Sequence, residues 1–272
     1  MATRKRGNIH FISIHGIEDF QIVYGRDVVN SFPVHTHEKY CIGVLEKGRA
    51  SFTHKNKTVC LQGNSIYFIN PGEAHQIKPI DALGFSHIVF CFGMDFIKKY
   101  FAEKEVLFFT AETIESQQIS DRFIDFASQK LRSQSQYDRE YELIELLSLI
   151  YPYSISAHKE VPAQNSTEHI FRVCDYIQTH PGGILSLDKL SQIACLSRFH
   201  FCRLFKAVVG VSPYDYQIQT RIKKARGLLI ERKPIADIAM ELGFADQSHF
   251  SRFFKRNTGV TPAGFVKMNI RL

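Results

Sequence analysis

The spacing of apolar residues changes along the chain, and each change marks a different kind of structure. From Ile9 to about Phe92 apolar residues come in short runs, at 11–14, 40–45, 50–54, 58–61, 65–69 and 85–92, broken by Lys47-Gly48, Gly63-Asn64 and Asn70-Pro71-Gly72. Short runs punctuated by Gly, Pro and Asn predict antiparallel strands that close into a barrel or jelly roll. From 93 to 160 the period lengthens to that of a helix. Phe123, Phe126 and Ala127 share the inner side of one helix over 120–132, and Leu143, Leu146, Leu147 and Ile150 stand at i, i+3, i+4 and i+7 on another that begins near Asp138. A polar stretch at 158–165 follows, and Ile170, Val173, Cys174 and Ile177 open a third region of helical period. The fold class expected is α+β: a β-barrel with flanking helices over 1–115, a helical connecting region over 116–160, and an all-α domain over 166–272.

The third region contains a stretch written twice. His200-Phe201-Cys202-Arg203-Leu204-Phe205-Lys206 leads to Gly210-Val211-Ser212-Pro213; forty-nine positions on, His249-Phe250-Ser251-Arg252-Phe253-Phe254-Lys255 leads to Gly259-Val260-Thr261-Pro262. A repeat of this length is one supersecondary unit built twice. In the first copy Phe201, Leu204 and Phe205 form an apolar stripe and Ser197 stands where a helix N-cap belongs; in the second the stripe is Phe250, Phe253 and Phe254 and the cap is Asp246. A shorter helical pattern precedes each, joined through Cys195-Leu196 or through Gly243-Phe244-Ala245. A short helix, a tight turn and a capped helix with one basic side is the helix-turn-helix pattern. Ordinary amphipathic packing with solvated Arg and Lys is the alternative, and it does not account for Arg203 and Arg252 at the same place in both copies. Ser212-Pro213 and Thr261-Pro262 set a cap and a first-turn proline for a further helix each. The helix from Pro213, with Tyr214, Ile218, Ile222, Ala225 and Leu229 as its packing stripe, would join the two units rigidly over about 25–30 Å, comparable with the duplex repeat of about 34 Å.

Charge follows the repeat. The 272-residue chain carries +7, and residues 166–272 hold sixteen Lys+Arg against eight Asp+Glu, a net +8 that leaves −1 for the rest. Positive charge segregated in this way is the footprint of a polyanion. The six Cys, at 41, 60, 91, 174, 195 and 202, lack CxxC spacing and fit neither a zinc knuckle nor a secreted disulfide framework. No apolar run is long enough for a bilayer, and the basic start at Met1-Ala2-Thr3-Arg4-Lys5-Arg6 leads into a stretch broken by His15, Gly16, Glu18 and Asp19, so a cytoplasmic protein with no membrane partner is expected. No nucleophile–base pair, phosphate loop or paired carboxylates mark catalysis, so neither enzyme activity nor a cofactor is expected.

Leu190-Ser191-Gln192-Ile193-Ala194, the run from Ser197 to Lys206, Ile235-Ala236-Asp237-Ile238-Ala239, the run from Gly243 to Lys255, Gly259 and Thr261-Pro262 together resemble the AraC/XylS family of bacterial transcription regulators. The resemblance covers roughly 166–268. It implies double-stranded promoter DNA, a small-molecule effector and RNA polymerase as partners, and a homodimer. On the recognition surfaces Phe199, Cys202 and Arg203 in the first unit and Gln247, Ser248, Ser251 and Arg252 in the second are the candidate base readers. Ser197, Arg198, Lys206 and Lys255 are candidate phosphate contacts, which position without specifying. Cys202 departs from the polar residues more usual at its place. The resemblance also turns Leu143, Leu146, Leu147 and Ile150 toward a dimer seam, whereas a stripe of this kind more often packs on its own domain.

His35-Thr36-His37, Gly48, Gly63 and Pro71-Gly72-Glu73-Ala74-His75 resemble the cupin-like effector domain of the same regulators. His35 and His37 share a face if extended, and His75 can complete a cluster with them. Three readings stand open. With Tyr40 and His87 they anchor a small-molecule effector; they hold a metal, which would make the protein a metal-dependent cupin sensor or enzyme fused to a DNA-binding domain; or they are structural. The carboxylate that metallo-cupins add after the His pair is missing, since Glu38 points to the opposite face and Cys41 or Ile42 occupies the later position, so no metal is expected.

Overall fold

The computed structural model describes residues 8–55, 57–100, 106–130, 136–157, 165–183 and 185–271. Most of the polar stretch at 158–165 lies outside them. The chain divides into two compact units, one of residues up to Ser31, His37–Lys159 and the segment from Met268 on, the other of Phe32–Thr36 and Glu160–Lys267.

In the first unit β1 (Asn8–Ser13), β2 (Phe20–Val28), β3 (Tyr40–Lys47), β4 (Ala50–His54), β5 (Lys57–Leu61), β6 (Ser65–Ile69), β7 (His75–Pro79) and β8 (Phe85–Phe92) come first. They are followed by α1 (Met94–Tyr100), β9 (Val106–Phe109), β10 (Thr113–Glu115), α2 (Gln117–Asp125) with a π-helical turn at Phe126–Lys130, α3 (Gln136–Ser148) and β11 (Ser154–Ala157). A seven-stranded sheet runs β10-β6-β3-β8-β2-β1 and ends on β12 (Asn269–Arg271), and a three-stranded sheet runs β5-β4-β7. β3, β6 and most of β8 are buried on both faces, which explains why their sequences read as continuous apolar runs.

Alternation sorts the two faces of the large sheet. Ile42, Val44, Phe68, Phe90 and Phe92 pack with Phe96, Phe123 and Phe126 of the helical layer. The other face turns to the small sheet, where Phe52 of β4 meets Tyr67 of β6 at 5.0 Å between ring centres. Two expectations are corrected here. Tyr40 alternates with Cys41, so its ring points into the helix-covered core, 1% exposed, stacked on Phe92 at 5.6 Å, and its hydroxyl donates to Met94 Sδ. It does not line a pocket with the histidines. Leu143, Leu146, Leu147 and Ile150 are each 1–2% exposed within this same core. Side chains already covered by their own unit have no surface to give a partner, so they form no dimer seam.

The second unit is helical: α4 (Asn165–Thr179), α5 (Leu187–Ile193), α6 (Arg198–Val209), α7 (Pro213–Ile230), α8 (Ile235–Glu241), α9 (Gln247–Thr258) and α10 (Pro262–Met268). Its starts are set by side chains. Ser186, Ser197, Ser212 and Asp246 each accept a main-chain N–H from the third residue on, capping α5, α6, α7 and α9. Gly210 and Gly259 end α6 and α9 in the left-handed conformation. Tyr214, expected on the packing stripe of α7, is 56% exposed, while Gln217 and Arg221 are buried alongside Ile218, Ile222, Ala225 and Leu229.

Leu146→Ala should lower the unfolding free energy in urea by about 2–5 kcal/mol, the cost of a cavity in a packed core. An unchanged urea midpoint together with a lower oligomeric state would restore the seam reading.

Candidate functional site

The repeated unit is a repeat in three dimensions. Phe201 and Phe205 lie 5.5 Å apart with rings inclined at 65°, and Phe250 and Phe254 lie 5.6 Å apart at 66°. In both turns the second residue after the first helix takes a left-handed backbone, Cys195 at φ 54° and Gly243 at φ 69°. The residue after it then donates back to the helix, Leu196 N–H to Ser191 O at 3.0 Å and Phe244 N–H to Ala239 O at 2.9 Å. This closing pattern sends the chain sharply into α6 and α9.

Burying one phenylalanine stripe leaves the opposite side of each second helix outward. Phe199, Arg203, Gln247, Ser248 and Arg252 are exposed, Phe199 at 79%, and Cys202 and Ser251 are half-buried. Lys206 and Lys255 are exposed in the last turns, where a cation also complements the helix dipole. Ser197 is exposed, and its hydroxyl accepts the His200 N–H. Arg198 is exposed and forms an ion pair with Asp188 of α5.

Arg221 carried no functional signal in the sequence, yet it ties the two helix-turn-helix units together. From its buried place on α7 its guanidinium donates to Pro181 O at 2.8 Å and Gly183 O at 3.0 Å, ahead of α5, and to Gly243 O at 2.9 Å, in the second turn. It also lies over the Phe244 ring, 5.5 Å from its centre.

His35 lies half-buried in the Phe32–Thr36 segment that groups with the helical unit, its Nδ1 3.0 Å from Pro33 O, whereas His37 and His75 belong to the barrel unit. His37 and His75 meet edge-on, 4.8 Å between ring centres. The Cys41 thiol stands 3.6 Å from His37 Nε2 and 3.1 Å from Cys91 Sγ. His87 is buried deeper, paired through Nδ1 with the Tyr67 hydroxyl at 2.9 Å. Burial holds His87 down at about 4. Glu73 and His54 were not singled out by sequence. Burial alone would raise the Glu73 carboxyl, but hydrogen bonds from His54, Lys55 and the Asn70 main-chain N–H outweigh it and bring the group to about 2. His54 Nδ1 is buried with no hydrogen-bond partner among the described residues.

Residues 190–268 match the family model described as a helix-turn-helix domain, and residues 19–147 match that of the AraC-like ligand-binding domain. The chain belongs to the AraC family of transcriptional regulators. The HTH-type transcriptional regulator YbfI of Bacillus subtilis is 27% identical over 237 residues, 82% of this chain and 83% of that one. The arabinose operon regulatory protein of Escherichia coli is 33% identical over 125 residues, 45% of this chain and 42% of that one. ToxT from Vibrio cholerae, at 14% identity, shares the fold with a TM-score of 0.57 over 96% of both chains. This AraC-family protein is therefore a DNA-binding regulator with a ligand-binding domain. Among the described residues no helix is long and apolar enough to cross a membrane.

Two measurements follow. Arg221→Ala removes a charged donor shared by three carbonyls and should destabilise the helical unit by about 3–5 kcal/mol in urea unfolding; a change under about 1 kcal/mol would mean that the clamp is not structural. For His87, the unfolded chain binds a proton near the ordinary 6.5 and the folded chain only near about 4. Stability should therefore fall as pH drops from about 6.5 to about 4, by about 3 kcal/mol, and His87→Gln should flatten that slope. Glu73 adds a further loss as pH falls from its ordinary value toward about 2.

Proposed function

We propose that this chain recognises promoter DNA through the outward sides of α6 and α9 and alters its grip when a small molecule binds in the barrel. The supporting observation is the duplicated, exposed, Arg-bearing helix face, two copies on one clamped scaffold. Arg203 and Arg252 pair with guanine, and Gln247 with adenine. Phe199 and Cys202 suit a thymine methyl, while Ser248 and Ser251 supply single hydrogen bonds. Ser197, Arg198, Lys206 and Lys255 meet phosphates and hold the helices in register. Each phosphate neutralised releases counterions, so binding weakens steeply with salt.

The effector lies among side chains of the barrel, with His37, His75 and His87 as its polar anchors. It works by binding one arrangement of the protein more tightly than another. A solved ToxT structure contains an unsaturated fatty acid, an organic molecule of the general class proposed for this barrel. The same reading includes a cytoplasmic homodimer that engages RNA polymerase, joined through surfaces other than the Leu143 stripe.

Selection from a randomised duplex pool tests the base readers. Arg203→Ala and Arg252→Ala should each cost about 1–3 kcal/mol on the selected site and relax preference at different positions, whereas Lys206→Ala should weaken all sequences alike and shallow the salt dependence. If neither arginine variant changes the selected sequence, the assignment of readers is wrong.

A further inference from the structure

We propose that Cys41 and Cys91 form a hydroperoxide-reactive dithiol in the barrel, which closes to a reversible disulfide and gives the ligand-binding domain a second input. Its chemistry belongs to the barrel unit alone; only its effect on DNA binding rests on the coupling proposed above.

The two cysteines are 50 positions apart in the chain and directly opposite one another in the antiparallel pair of β3 and β8. Opposed residues of such a pair have Cα atoms about 4.5–5.5 Å apart, inside the span of about 4.4–6.8 Å that a disulfide bridges. Tyr40 and Ile42 flank Cys41, Phe90 and Phe92 flank Cys91, and all four belong to the helix-covered core. Alternation therefore turns both thiols to the other face, toward the small sheet. There the sulfurs lie 3.1 Å apart, both as thiols. A sulfur–sulfur bond of about 2.05 Å is reached by closing about 1 Å, with no change of strand register.

His37 gives the pair a base. Its Nδ1 lies 2.9 Å from Lys39 O. A main-chain carbonyl only accepts, so Nδ1 carries the proton and Nε2 the lone pair. That lone pair faces Cys41 Sγ at 3.6 Å. Exposure divides the two steps between the thiols, since Cys91 is half-buried and Cys41 only 3% exposed. The Cys91 sulfur attacks an oxygen of a hydroperoxide ROOH, the O–O bond breaks, ROH leaves with the thiol proton, and Cys91 becomes a sulfenic acid. Cys41 then passes its proton to His37 Nε2 while its sulfur attacks Cys91 Sγ. The S–O bond breaks, and the departing hydroxide takes the proton from His37 as water. Two thiols lose two electrons in all, and one hydroperoxide is reduced to ROH and water. Small thiols reverse the bond by exchange. In the disulfide Cys41 has no proton to give His37, which stands edge-on to His75, so oxidation changes the polar lining that an effector meets.

The test treats the reduced full chain with hydrogen peroxide, blocks the remaining thiols with N-ethylmaleimide under denaturing conditions, and maps the peptides without reduction. Two of the six thiols should disappear, Cys41 and Cys91 should be found in one linked peptide pair, and dithiothreitol should restore both. Cys41→Ser should stop at a sulfenic acid on Cys91, trapped by dimedone. His37→Gln should slow closure of the disulfide by about tenfold or more without slowing formation of the sulfenic acid; closure at the wild-type rate removes His37 as the base. Six thiols left after oxidation, or links that join other cysteines, overturn the dithiol, and the wild-type map decides this even if a variant fails to fold. Duplex binding separates the two readings. Oxidised and reduced wild type should differ by about fivefold or more, while Cys91→Ser should not respond to peroxide. Equal affinity in both states overturns the second input, whereas absence of duplex binding in either state strikes the regulator reading and leaves the disulfide standing.

Discussion

The helical unit depends on one buried cation. Arg221 sits in the middle of the helix that joins the two helix-turn-helix copies, and its donors are divided between the turn ahead of the first copy and the turn inside the second. Those turns come so close that a Cβ on Gly182 would lie 2.1 Å from Glu241 O, and one on Gly243 would lie 2.5 Å from Gly182 O. Two backbones in contact bring carbonyls together with few donors to meet them, and buried carbonyls without donors are costly. The guanidinium supplies those donors in a planar fork that a lysine cannot reproduce. Gln217 adds a hydrogen bond to Gly183 O at 3.1 Å. The separation of the recognition helices is thus set by main-chain contact locked by a side chain, not by the joining helix alone.

The barrel solves a different problem. Its large sheet is covered on both faces, by helices on one and by the small sheet on the other, so strand alternation separates two interiors instead of inside from outside. The helix-covered interior is almost wholly apolar and aromatic. The interior between the sheets collects His54, His75, His87, Tyr67 and the Cys41–Cys91 pair, with Glu73 held as a carboxylate at its margin. His87 and Tyr67 satisfy each other there through their hydrogen bond, while His54 Nδ1 has no partner among the described residues.

How much of this could be read from the chain depended on whether a local pattern had one structural meaning. The repeat did: caps at Ser197 and Asp246, left-handed glycines at 210 and 259, and paired phenylalanines each demand a particular geometry, and the copies agree. Tyr40 did not. With both faces of β3 buried there was no polar–apolar alternation to tell the ligand side from the helix side. The Leu143 stripe was legible as a stripe, but any apolar surface can cover it, and its own unit does. Arg221 looked like one more solvated cation on a basic helix, because its carbonyl partners lie about forty residues before it and twenty-two after it. His37 and His75 meet edge-on as their nearness to a common turn suggested, but the carbonyls that orient their rings belong to backbone geometry that residue identity does not encode.

The two recognition faces are copies in shape and strangers in chemistry. One shows a phenylalanine and a thiol beside its arginine; the other shows an amide and two hydroxyls. Held at a fixed spacing in a fixed order, they give the helical unit a head and a tail. A duplex read by these two faces as proposed would have a polarity as well, and inverting it would exchange what each face meets.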